Sequence, residues 1–156
     1  MTTSTILDTA IGPLGVTKND DGAITEITFR PKSGARGVKH FEDIAEQLDE
    51  YFAGKRKTFD LDLAPRGTPF QLSVWNVLRK IPYGATLSYL DVANAIGNPA
   101  AVRAVGAANG ANPLPIVVPC HRVIGATGSL TGFGGGIDLK RHLLMLEGAL
   151  SLELAK

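Results

Sequence analysis

One cysteine, Cys120, stands in a chain of 156 residues. That excludes an internal disulfide and any metal site built on several thiolates. Histidine is also scarce. His40, His121 and His142 lie far apart and show no metal-ligand spacing. Neither a metal nor a cofactor is therefore expected. Charge of one sign is lacking too, since 16 Lys and Arg face 15 Asp and Glu for a net charge of +1. A chain that held long DNA by charge alone would be much more basic. Any nucleic-acid footprint must then be small, with its positive charge local. No apolar run approaches the roughly 18 residues of a membrane span. Met1 to Ile6 show no basic stretch leading into an apolar core, so no secretory leader is expected and the expected compartment is the cytoplasm. No internal repeat or low-complexity linker interrupts the chain. What remains is the composition of a globular protein, long enough for one compact unit or two small halves.

The first 65 residues read as a small α/β domain. Thr5-Ile6-Leu7 leads towards a turn at Gly12-Pro13. Leu14 to Thr17 and Ile24 to Phe29 read as strands around Asn19-Asp20-Asp21-Gly22, a strong hairpin signal. Phe41, Ile44, Ala45, Leu48, Tyr51 and Phe52 recur at steps of three and four, which predicts an amphipathic helix closed by Gly54. Phe59, Leu61 and Leu63 alternate with Asp60 and Asp62 and predict a further half-buried strand.

Pro65, Gly67 and Pro69 mark a boundary, and residues 66–156 read as a mainly helical second domain. Thr68 is a cap for a helix from Phe70 to Leu78. Ser88 caps a helix from Tyr89 to Ile96, and Asn98-Pro99 starts a second one at once, running to Ala108. Two short helices around a glycine turn resemble a helix-turn-helix. The second carries Arg103 as its only charge among Ala, Gly and Val. Small residues allow close backbone approach, which suits minor-groove contact with one side chain inserted into the stack. An Ala-rich packed helix with a solvated Arg explains this stretch equally well.

The most informative run is Asn112 to Ile124. Ile116-Val117-Val118 predicts a buried extended segment, and Pro119 restricts the backbone just before Cys120. Fixed placement is what in-line attack needs. A free thiol has a pKa of about 8.5, so only a few per cent is thiolate near pH 7 and a neighbouring base or cation must raise that share. His121 and Arg122 follow directly. A water between thiol and imidazole is one arrangement, and Glu147, beyond a helix from about Asp138 to Leu146, is a candidate to orient the histidine. A surface residue at a helix end is the plainer reading of Glu147. The glycines from Gly125 to Gly136 match neither a phosphate loop nor a dinucleotide loop. They read as a pocket wall with Phe133 as an aromatic face, or as a loop that Phe133 anchors.

Gly67-Thr68-Pro69-Phe70-Gln71, Ile81-Pro82-Tyr83-Gly84, Ser88-Tyr89, Arg103-Ala104-Val105-Gly106, Asn112-Pro113, Pro119-Cys120-His121-Arg122-Val123 and Gly132-Phe133-Gly134-Gly135-Gly136 follow one another in order. This stretch, about half the chain, resembles the O6-alkylguanine-DNA alkyltransferases, the methylated-DNA–protein-cysteine methyltransferases. Ile11 to Leu14 is a weaker echo. The resemblance implies an α+β fold: a small, mainly antiparallel sheet with a helix, then a helical, winged-helix-like half that carries the reactive cysteine. It implies one-shot transfer of an alkyl group from O6-alkylguanine in DNA to Cys120, with O4-alkylthymine as a candidate second substrate, leaving an inactive S-alkylated protein.

It further implies roles for named residues. Cys120, His121, Glu147, Asn112 and Tyr89 fall at catalytic positions. Arg103, Ala104, Ser88, Tyr89 and Arg122 fall at DNA-binding positions, with Arg103 filling the gap left by a flipped nucleotide. Val123, Phe133, Gly134 and Pro115 fall at positions of the substrate pocket. Double-stranded DNA with alkylated bases is the expected partner, met by a monomer with room for cooperative assembly along DNA. Many members carry Tyr where Phe133 sits, so any role of that hydroxyl is absent. Some carry a zinc in the N-terminal half, which one cysteine makes implausible. Two other readings compete: a damage-binding module without catalysis, against which Cys120 stands, and a cysteine hydrolase, for which no oxyanion arrangement is evident.

Overall fold

A computed structural model of the chain describes residues 2–130 and 132–149. The chain divides into two compact units, Met1–Arg66 and Gly67–Lys156.

In the first unit, β1 (Thr3–Thr9), β2 (Gly12–Lys18) and β3 (Ile24–Phe29) form an antiparallel sheet in the order β1-β2-β3. The β1–β2 turn lies at Ala10-Ile11, held by the Thr9 hydroxyl donating to the Gly12 carbonyl at 2.7 Å. Gly12 and Pro13 already belong to β2, so the strand starts two residues earlier than the sequence suggests. Asn19 builds the second turn, its Oδ1 accepting from the N–H groups of Asp21 and Ala23. The imperfect alternation of β3 has a physical cause. Lys18 pairs with Ile24 but Thr17 with Glu26, so Thr25 is an extra residue in the strand. That bulge lets Ile24 and Ile27 both enter the core.

Helix α1 (Glu42–Phe52) buries Ile44, Leu48 and Tyr51. The stretch from Phe59 to Leu63 is not a strand. It makes one parallel bridge, with the Ile24 N–H donating to Asp62 O and the Ala64 N–H to Ile24 O, both at 2.8 Å. Its alternation comes instead from packing, as the Phe59 ring lies 5.3 Å from that of Tyr51.

In the second unit, α2 (Pro69–Leu78) starts with a capping box between Thr68 and Gln71. The lone tryptophan, Trp75, donates its Nε1–H to the Ala108 carbonyl at 2.8 Å and so ties α2 to α4 (Val102–Gly110). A Cβ on Gly67 would fall 2.5 Å from the Trp75 ring, which explains the glycine at that position. Helix α3 (Tyr89–Ala95) has its own capping box between Ser88 and Asp91. It packs on α4 in the helix-turn-helix arrangement. Asn98 does not cap α4 with its side chain. Its carbonyl accepts from the Ala101 N–H, Pro99–Ala101 form a 3-10 turn, and the α-helix begins only at Val102. A two-residue parallel ladder pairs β4 (Leu87–Ser88) with β5 (Val123–Ile124). This short pairing joins the start of α3 to the segment just after Cys120. Helix α5 (Ile137–Leu146) closes the described chain.

Residues 114–118 are buried, apart from half-buried Val117, but not extended. The Val118 N–H donates to Leu114 O at 2.8 Å, and Ile116 takes φ +75°. The apolar run therefore folds into a tight turn under the thiol. A β-branched residue at positive φ is strained and persists only where packing fixes it, as it does for fully buried Ile116.

Among the described residues, no helix is long and apolar enough to cross a membrane.

Candidate active site

Cys120 opens a 3-10 turn, Cys120–Arg122, and is 5% exposed. Its N–H donates to Val118 O at 2.8 Å. Asn112 braces the same turn, its Nδ2 donating to Val118 O at 2.8 Å while its Oδ1 accepts from the Leu114 N–H at 3.0 Å. Burial pushes the thiol above its ordinary pKa. A hydrogen bond with the Asn112 side chain, the charge of Lys140 and local backbone N–H groups pull it back down.

His121 is fully buried, and its Nε2 lies 2.7 Å from Glu147 Oε2. Burial lowers the imidazole pKa, opposed by the hydrogen bond and charge of Glu147. A neutral ring that donates from Nε2 to a carboxylate leaves Nδ1 as a lone-pair acceptor. Nδ1 is buried and has no hydrogen-bond partner among the described residues. The histidine is thus arranged to take a proton.

Glu147 follows the last residue of α5, where the helix dipole disfavours an anion. Arg122 offsets this. Its Nε donates to Glu147 Oε1 at 2.7 Å and its Nη2 to Oε2 at 3.0 Å, a two-pronged pairing. Its Nη1 donates to the Ile81 carbonyl at 2.7 Å, and its guanidinium lies over the Tyr83 ring. With three of its nitrogens engaged and only 7% exposure, Arg122 does not reach outward for a DNA phosphate. Its geometry is that of a clamp on Glu147.

A cavity of about 570 Å³ is lined by Tyr89 of α3, Val102, Gly106 and Gly110 of α4, and Gly132, Phe133 and Gly134 of the glycine loop. It brings Tyr89, Phe133 and Gly134 together. Pro115 and Val123 are buried and do not line it. Arg103 and Ala104 are exposed on α4, and Arg103 makes no hydrogen bond or ion pair among the described residues. Half-buried Ser88 spends its hydroxyl on the cap of α3, accepting from the Asp91 N–H at 3.0 Å.

Lys140 escapes the sequence reading. It is fully buried, and its Nζ donates to the Val123 carbonyl at 2.6 Å. Burial pushes its pKa down to about 8, against the pull of Cys120. The signal was its phase: Lys140, Leu143, Leu144 and Glu147 share one face of α5. Among the described residues, no three His, Cys, Asp or Glu side chains group to hold a metal ion.

A helix pair with an exposed arginine, together with a buried thiol next in the chain to an imidazole paired with a carboxylate, defines a DNA-binding protein with a nucleophilic cysteine. The chain belongs to the 6-O-methylguanine DNA methyltransferase family: the family's DNA-binding domain matches residues 69–149 and its ribonuclease-like domain residues 3–65. A methylated-DNA–protein-cysteine methyltransferase of Methanosarcina acetivorans is 47% identical over 152 residues, covering 92% of this chain and 97% of that one. One of the same name from Mycobacterium tuberculosis is 47% identical, covering 90% of this chain and 89% of that one. The crystal structure of Mycobacterium tuberculosis OGT in complex with DNA matches with a TM-score of 0.87 at 44% identity, over 97% of each chain.

Proposed function

We propose that Cys120 is the acceptor and that His121, Glu147, Asn112 and Tyr89 serve its reaction. The activity follows from the family: direct-reversal DNA repair, in which an alkyl group passes from DNA to a cysteine of the protein. The observation that carries the assignment is the buried His121–Glu147 pair, Nε2 to Oε2 at 2.7 Å, in the residue directly after the buried thiol of Cys120.

The reaction begins when Cys120 gives its proton to His121, directly or through water. The sulfur then attacks the saturated carbon on guanine O6. The S–C bond forms, the C–O6 bond breaks, and its electron pair stays on the base. Tyr89 donates a hydrogen bond from its phenolic hydroxyl to the leaving guanine. The base takes up at nitrogen the proton that the thiol gave, so overall a thiol and an alkylguanine become a thioether and guanine. A thioether offers no ready leaving route, so each molecule reacts once.

A thiol that is 5% exposed cannot reach a base stacked in a duplex. The target base must be turned out of the helix, at a cost of a few kcal/mol, and lodged in the cavity beside Tyr89 and Phe133. Arg103, exposed on α4, fills the gap it leaves. Arg122 serves as a positioning residue through Glu147. Intact mass tests the reading. Incubation with an O6-methylguanine duplex should add one methyl group to Cys120, and Cys120→Ala should gain nothing. An unmodified wild-type protein at stoichiometric concentration would refute it.

A further inference from the structure

Asn109 sits in the last turn of α4 and is 2% exposed, on the face shared with Val105 and Ala108. Its Nδ2 donates to the Cys120 carbonyl at 3.3 Å. That carbonyl also accepts from the Val123 N–H that closes the 3-10 turn. Both its lone pairs are therefore used. Asn109 Oδ1 is buried and has no hydrogen-bond partner among the described residues. The amide has one sensible orientation, because exchanging its ends would set Oδ1 against the Cys120 oxygen.

Such a residue is a poor choice for stability. A buried acceptor without a partner destabilises the fold, and a leucine of similar size would avoid that cost on a face otherwise lined by Val and Ala. What the amide does achieve is a direct tie between α4 and the backbone of the nucleophile. The stripe of Val102, Gly106 and Gly110, which lines the cavity, runs along α4 between Arg103 and Asn109. One edge of the stripe therefore meets solvent, while the other is fastened to Cys120.

We infer that Asn109 is a positioning residue for alkyl transfer, fixing the Cys120 backbone from the helix that lies against DNA. This rests on Cys120 being the acceptor. Attack at a saturated carbon must be in line, so a small displacement of the sulfur slows the reaction without weakening binding. Asn112 acts on the thiol, the Val118 carbonyl and the Leu114 N–H. Asn109 is the side chain that bonds the backbone of Cys120 itself.

The test compares wild type with Asn109→Leu, using free O6-benzylguanine and an O6-methylguanine duplex. The limiting rate of Cys120 alkylation and the half-saturating concentration are measured with the free base. Thermal midpoint and affinity for undamaged duplex are measured alongside. The expected limiting rate is about tenfold to a hundredfold lower, with half-saturation and duplex affinity within about twofold. The thermal midpoint should be unchanged or higher, since the orphaned oxygen is gone. A limiting rate equal to wild type would overturn the inference. So would a lower rate that only accompanies a lower midpoint and weaker duplex binding, because that marks a merely structural role. If the leucine variant fails to fold, Asn109→Ala carries the same comparison. A wild type that neither substrate alkylates refutes Cys120 as the acceptor, whereas a reactive wild type matched by its variant refutes only the role of Asn109.

Discussion

His121 and Glu147 meet at 2.7 Å with both side chains wholly buried, 26 residues apart in the sequence. Arg122 completes the arrangement by pairing with both oxygens of the same carboxylate. Glu147→Gln keeps the shape and removes the charge. It leaves a buried guanidinium without its counter-ion, which costs roughly 3–5 kcal/mol. Urea unfolding should show that loss, together with slower alkylation by an O6-methylguanine duplex. A variant as stable as wild type would mean that the cluster does not hold the fold here.

Acidity acts through the histidine. Burial holds His121 below its ordinary pKa, with Arg122 and Lys140 acting the same way and Glu147 opposing them. In the unfolded chain the ring titrates near 6.5 (about the unperturbed value), so below that pH the unfolded state binds the extra proton. The contribution of His121 to stability is thus complete above about pH 6.5 and is lost as pH falls further. Thermal midpoints across this range should decline for wild type and decline less for His121→Gln. An equal decline in both would assign the acid sensitivity to other groups.

Lys140 acts on the thiol. With a pKa of about 8, it is mostly charged at neutral pH and favours the thiolate of Cys120. Lys140→Met removes that cation, so the rise of alkylation rate with pH should move to higher pH. The deficit should be largest near neutrality and should narrow above pH 8, where the wild-type lysine also loses its proton. A profile with an unmoved midpoint would show that the lysine serves the Val123 carbonyl alone.

Replacing Arg103 tests DNA handling apart from chemistry. Arg103→Ala should slow reaction with an O6-methylguanine duplex by roughly tenfold to a hundredfold, the equivalent of the few kcal/mol that an unfilled stack costs. Reaction with free O6-benzylguanine should hardly change. Equal losses on both substrates would place Arg103 in the fold of the site.

The helices were legible because their ends carry chemistry. Thr68 with Gln71 and Ser88 with Asp91 close reciprocal capping boxes. The false strand at 59–63 shows the limit of alternation, which records packing against Tyr51 as readily as a ladder. The turn at 114–118 defied its β-branched composition because burial and Asn112 hold Ile116 at positive φ. Within the site, Cys120 and His121 were visible as neighbours, and Glu147 as a candidate some distance along the chain. Lys140 and Asn109 were hidden, since each occupies an apolar helical face where pattern reading expects a hydrocarbon.

The bond from Trp75 to the Ala108 carbonyl gives the protein a built-in optical probe. The chain has one tryptophan, so its emission has a single source. That indole is 3% exposed and is fastened one residue before Asn109, on the helix that also bears Arg103. A shift of α4 as duplex DNA seats would alter the polarity around the ring. Intrinsic fluorescence can therefore time the docking of DNA separately from the mass change at the thiol, in unlabelled protein.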